Sequence, residues 1–120
     1  MVVALAAPGE VLLVAVRGDA LEAALQARGV PVRRVRTLAL ARRDMGQTRF
    51  QVVVVEPDLG AEDGVRFALA ARSWHGWSTV PFVLLPERGD VQIVVLDGGD
   101  PVPLDTDLER LATLIAGLAW

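Results

Sequence analysis

The chain has 120 residues, a net charge of −3 and 52% apolar residues, which fits one domain, 1–120, around one ordinary core. It contains no cysteine and a single histidine, His75, which excludes disulfides, thiolate metal sites, a cysteine nucleophile and multi-histidine metal ligation. All twelve basic residues are arginine, so no lysine ammonium is available for a Schiff base or a Walker-type phosphate clamp.

The opening "MVVALAAPGEVLLVAV" has no basic n-region and is interrupted by Pro8-Gly9-Glu10, which argues against a signal peptide. No apolar run approaches the roughly 18 residues of a membrane span. A cytoplasmic protein without membrane association is the expectation. The net charge hides a split: residues 1–49 carry eight Arg against four acids, and residues 50–120 carry four against eleven.

Val11–Val16 is an unbroken apolar run, suited to a strand buried on both faces. Asp19 is placed to cap a helix through "ALEAALQAR", and Gly29 stands where such a helix stops. Val30–Thr37 mixes Val30, Val32 and Val35 with Arg33, Arg34 and Arg36, the pattern of an edge strand. Leu38–Met45 reads as a short helix ended by Gly46. Gln51–Glu56 contains four consecutive valines, which disfavour helix and suit a central parallel strand. Asp63–Trp74 reads as a helix with Val65, Phe67, Ala68 and Ala71 inward, and Val80–Leu85 as a further strand. "VQIVVLDGGDPVPL" then reads as strand, Gly98-Gly99 turn, strand. Asp105 is placed to cap a last helix, whose buried stripe would be Leu108, Leu111, Leu114, Ile115 and Leu118. Strands alternating with helices imply a mainly parallel sheet with helices on both faces.

The spacing around Glu56 resembles the receiver domains of two-component response regulators, the CheY-like fold. In that family the third strand ends in a phospho-accepting Asp, and an Asp-Gly pair seven and eight positions later opens the third helix. Here Glu56, Asp63 and Gly64 hold those positions, and Pro81 matches the Pro that opens the fourth strand. The resemblance covers about Phe50–Leu85 closely and Val11–Arg49 in element order. It implies a three-layer flavodoxin-like domain with about five strands, its fourth-helix region altered or replaced by the hairpin. It also implies a signalling role.

The residues that carry the family's chemistry are changed. The acceptor position holds Glu56. The acidic pair that binds Mg²⁺ falls on about Ala15 and Val16, the hydroxyl position on Pro86, and the required Lys is absent. Phosphoryl transfer needs its charge neutralised by a metal and a cation, and Mg²⁺ needs one or two carboxylates. The expectation is a degenerate receiver, non-phosphorylatable, without enzymatic activity, metal or cofactor, acting through a protein partner. A Glu in place of the acceptor can also act as a fixed mimic of the phosphorylated charge. Two alternatives stand: a receiver still competent through Glu56 or Asp58, and a small α/β ligand-binding protein or enzyme with its site at Glu56, Asp58 and Glu87.

Arg33, Arg34, Arg36, Arg42 and Arg43 form the strongest single-sign cluster. As a functional feature it fits an acidic protein surface, or the acidic half of a second copy in a homodimer; as a structural one, a solvated edge that resists aggregation. Net acidity and the lack of interleaved aromatics weigh against nucleic acid. A second surface, by resemblance, is Val91–Leu104 with the last helix. In "SWHGWS", Trp74 and Trp77 fit either anchors for a partner or, the better fit, side chains that close the core beyond the third helix, and Ser73 and His75 have no third member for hydrolytic chemistry. Asp97 and Asp100 read as turn residues. The sequence ends at Trp120 without an effector domain, so output is expected through a partner.

Overall fold

The computed structural model describes residues 9–57, 59–60, 62–74, 76–85, 92–96, 102–105 and 108–119. Ten elements follow one another: β1 (Val11–Val14), α1 (Asp19–Ala27), β2 (Val32–Val35), α2 (Leu38–Gln47), β3 (Val52–Val55), α3 (Gly64–Ala71), β4 (Phe82–Leu84), β5 (Gln92–Leu96), β6 (Val102–Asp105) and α4 (Leu108–Ala119). The strands form one sheet in the order β2-β1-β3-β4-β5-β6. The first four strands are parallel, β5 runs antiparallel to β4, and β6 antiparallel to β5. Among the described residues no helix stands between β4 and β5, and their antiparallel pairing needs no crossover. Both arms of the hairpin join the sheet, so the described residues hold six strands where the sequence led to about five. The Asp97–Asp100 turn lies outside the described residues.

β3 shows why the sheet needs cover on both sides. Its four valines are fully buried, and successive side chains of a strand point to opposite faces. Val53 and Val55 join a core with Leu38, Ala41, Met45, Phe67 and Ala71 of α2 and α3. Val52 and Val54 join a second core with Leu21, Leu25, Leu111 and Ile115 of α1 and α4. β2, with its arginines, is the edge strand that its composition implied. Trp77 is buried at 8% exposure, 6.4 Å between ring centroids from Phe50, and plugs the sheet below β3. Trp74 packs edge-on against Phe67 at 5.7 Å.

Helix ends depart from the sequence expectation in several places. Gly18 is the N-cap of α1 and makes no side-chain cap; Asp19 is the first helical residue and turns instead to Arg34. Gly29 does follow the helix, at φ 77°. α2 continues through Gly46 to Gln47 and closes at Thr48, whose N–H bonds the Asp44 carbonyl. A glycine inside a helix costs only about 1 kcal/mol, which the burial of Leu38, Ala41 and Met45 offsets. α3 ends at Ala71, one turn before Trp74. Asp105 ends β6, and α4 starts three residues later at Leu108. The buried face of α4 is Leu111, Ala112, Ile115, Ala116 and Ala119, whereas Leu108 is 40% exposed and Leu114 and Leu118 are half-buried. Alanines at i, i+4 and i+7 form a smooth row that lets α4 lie close against α1, and this rotates the leucines outward.

Trp77→Ala is expected to cost about 3–5 kcal/mol, as large buried aromatics do, and to lower the urea midpoint of unfolding. Trp74→Ala, removing a half-buried ring, should lower it distinctly less.

Candidate functional site

The carboxyl ends of β1, β2 and β3 meet at one rim of the sheet, and the sequence-predicted residues divide around it. Glu56 follows β3 directly. Its backbone N–H bonds the Val14 carbonyl at 2.9 Å, and its Oε2 accepts from the Arg17 N–H at 3.1 Å. The Glu56 side chain thus ties the end of β3 to the β1–α1 loop.

Asp63 and Gly64 owe their spacing to folding. Asp63 Oδ1 accepts from the N–H groups of Val65 at 3.0 Å and Arg66 at 3.2 Å, capping α3. Gly64 N–H bonds the Pro57 carbonyl at 2.9 Å. A Cβ at Gly64 would lie 2.1 Å from the Glu56 carbonyl oxygen and 2.9 Å from Val55 Cγ1. Only glycine lets α3 start so close to the end of β3. Glu62 adds a contact that sequence reasoning missed: its Oε1 accepts from the Leu38 N–H at 3.2 Å, joining the β3–α3 loop to the start of α2. Thr37 accepts from Leu40 N–H on the same helix end. The run of acids before α3 carried no hint that Glu62 would serve a different helix.

The residues at the end of β1 are Ala15, fully buried, and Val16, 42% exposed. Neither side chain has an oxygen. Their carbonyls face Arg34 of β2, whose Nη2 bonds Val16 O at 2.8 Å and whose Nε reaches Ala15 O at 3.5 Å. Arg34 also pairs with Asp19 and lies 4.0 Å from Glu22. Among the described residues no group of three His, Cys, Asp or Glu could hold a metal ion. With Glu56 as the carboxylate at the end of β3 and a guanidinium beside β1, this donor set does not fit the magnesium site of a receiver domain. Asp58, Pro86 and Glu87 lie outside the described residues, as does His75.

The five arginines are not one patch. Arg33 and Arg34 are neighbours on a strand and point to opposite faces: Arg34 to Asp19 of α1, Arg33 to Glu10 and to Asp44 of α2, each at 3.8 Å. Asp44 is 2% exposed and also accepts from Arg43 Nε at 3.3 Å. Arg42 lies over the Phe67 ring, 6.0 Å from its centroid. Arg36 is exposed just beyond β2 and has no ion pair among the described residues. Arg42 and Arg43, with the half-exposed Arg33 that reaches Asp44, lie on the α2 side of the molecule, and Arg36 stands exposed between β2 and α2.

No protein-family model matches the sequence, and no curated protein matches it. Solved structures do. A protein of Chloroflexus aurantiacus assigned as a response regulator superposes with a TM-score of 0.63 at 23% identity, over 70% of this chain and 71% of that one. The chemotaxis response regulator CheY4 of Vibrio cholerae gives 0.62 at 20% identity, over 69% and 72%. The signal receiver domain of a histidine kinase from Syntrophus aciditrophicus gives 0.61 at 20% identity, over 91% and 73%. The chain has the receiver-domain fold. Receiver-like α/β layering and the Glu56, Asp63 and Gly64 positions thus coincide in one molecule.

Gly64→Ala is expected to destabilise the domain by about 3 kcal/mol or more, because the obstacle is a backbone carbonyl that cannot rotate away. Asp63→Ala should cost about 0.5–2 kcal/mol through the lost cap. Chemical denaturation of the two variants checks both.

Proposed function

We propose that residues 1–120 form a single receiver-like domain that works in signal transduction by binding another protein and performs no phosphoryl transfer itself. The observation that carries this reading is the end of β1, where the buried Ala15 and the exposed Val16 stand within a receiver fold and both carbonyls are taken by Arg34. Without carboxylates there, a transferred phosphoryl group would lack the metal that neutralises its charge. Glu56 acts as a fixed negative charge that organises the rim. Among the described residues no helix is long and apolar enough to cross a membrane, and a cytoplasmic location suits a signalling role.

The surface we assign to the partner is the α2 side, with Arg42, Arg43 and the exposed part of Arg33, bordered by Arg36 between β2 and α2. Cations of one sign there fit an acidic protein surface, and electrostatic steering would speed its association. A second copy presenting its acidic residues is the homodimeric form of the same reading. The hairpin and α4 are the second candidate surface, by resemblance to receiver domains.

Two experiments test the proposal. In a thermal-shift titration with Mg²⁺ and beryllofluoride, which imitates a phosphoryl group on an acidic side chain, the melting temperature is expected to stay unchanged. A ligand at a hundred times its Kd would add about 2.7 kcal/mol, roughly 8–15 °C for a domain this size. Such a rise, abolished by Glu56→Gln, would restore a working phospho-switch and overturn the reading. Separately, the Arg36→Glu, Arg42→Glu double variant should keep its stability within about 1 kcal/mol of the parent while losing the partner in pull-down. Retention of the partner would move the interface to the hairpin and α4.

A further inference from the structure

The β1–α1 loop, residues 15–19, is held from two sides by the chain's own groups. From β3, the Glu56 carboxylate accepts the Arg17 N–H at 3.1 Å. From β2, the Arg34 guanidinium takes the carbonyls of Val16 and Ala15 and pairs with Asp19 at the start of α1. Arg34 is only 12% exposed at its side chain, so its charge is poorly screened and its bonds are charge-assisted, about twice as strong as neutral ones. Between the two anchors, Gly18 is packed tightly: a Cβ there would sit 3.1 Å from Leu13 Cδ2 and 3.2 Å from Ala15 Cβ.

From this geometry we infer that Arg34 is an internal cation standing in for a metal ion at the rim, holding the β1–α1 loop in one conformation that neither Mg²⁺ nor a phosphodonor alters. The inference rests on the proposed non-phosphorylatable reading and deepens it, because it names what regulates the rim: nothing diffusible does. A divalent ion would organise such a loop only when bound, and its departure would release it. A covalently attached guanidinium is always present and always charged. Its planar fork presents fixed donors to two carbonyls and a carboxylate at once, losing less freedom per bond than a lysine ammonium on a flexible stem. The rim is therefore presented to a partner in a constant state, and binding follows the amount of protein.

The test is amide hydrogen exchange and amide chemical shifts at residues 15–19, read by NMR on the whole chain. In the parent protein the loop signals should be unchanged by Mg²⁺, alone or with beryllofluoride. In Arg34→Gln the Arg17 and Gly18 amides should exchange roughly tenfold faster or more, since local opening loses its charged bonds, while the amides of β3 keep their protection. Arg34→Lys should rescue little of it. Loop exchange in Arg34→Gln equal to the parent would overturn the inference and leave the non-phosphorylatable reading standing. Loop signals of the parent that move with Mg²⁺ and beryllofluoride would overturn both. Should Arg34→Gln fail to fold, Asp19→Asn replaces it. That side chain is largely exposed, its loss loosens Arg34 without leaving an unpaired buried group, and unchanged loop exchange in that variant would equally overturn the inference.

Discussion

The fold turns on a strand with no polar side. Val52–Val55 alternates between two faces and offers only valine to each, so β3 is stable only where both faces are shut away from water. A neighbouring strand on each side, β1 and β4, satisfies its backbone. Helices on each face then follow from the same demand. All four parallel strands must point one way for their helical crossovers to return, and their carboxyl ends therefore collect at one rim. The candidate site is a consequence of how β3 is buried, before any chemistry is considered.

That rim separates architecture from chemistry. Asp63 and Gly64 match the positions of the receiver-domain fold, and both serve the scaffold. Asp63 caps α3, and Gly64 lets α3 start against the Glu56 carbonyl. Such residues persist whether or not the site reacts. Glu56 keeps its place because its carboxylate has an N–H to hold. Ala15 and Val16 offer no side-chain oxygen at the rim, and their carbonyls are bonded by Arg34. A motif read by spacing alone reports the scaffold more reliably than the activity.

The arginines make the same point from the side of charge. Five cations within eleven residues look like one surface, but a strand sends Arg33 and Arg34 to different faces, and each finds a carboxylate on a different helix. Arg33 and Arg43 surround a buried Asp44 that they must compensate, since an unpaired buried carboxylate is costly. The arginines left exposed are fewer than the sequence cluster: Arg42 and Arg43 on α2, part of Arg33, and Arg36 between β2 and α2.

Much was legible in the sequence. The valine runs, the alternation of apolar segments with helical periods, the arginine-marked edge at β2 and the glycine after α1 all act through local sterics and solubility, which need no neighbours to define them. The two C-terminal strands were legible too, from the β-branched run that became β5. The helix ends at Asp19, Gly46 and Asp105 and the outward leucines of α4 were not, because tertiary burial outweighs capping preferences of about 1 kcal/mol. Nor were the roles of Glu62 and Arg34. Each depends on groups far away along the chain, Leu38 for one and the β1–α1 loop for the other. Sequence determined that this chain would bury a parallel sheet and lack the usual acidic pair; only the tertiary structure decided which charges would turn inward. Side-chain parity on a strand and the packing of helices against it set the partners of every buried charge.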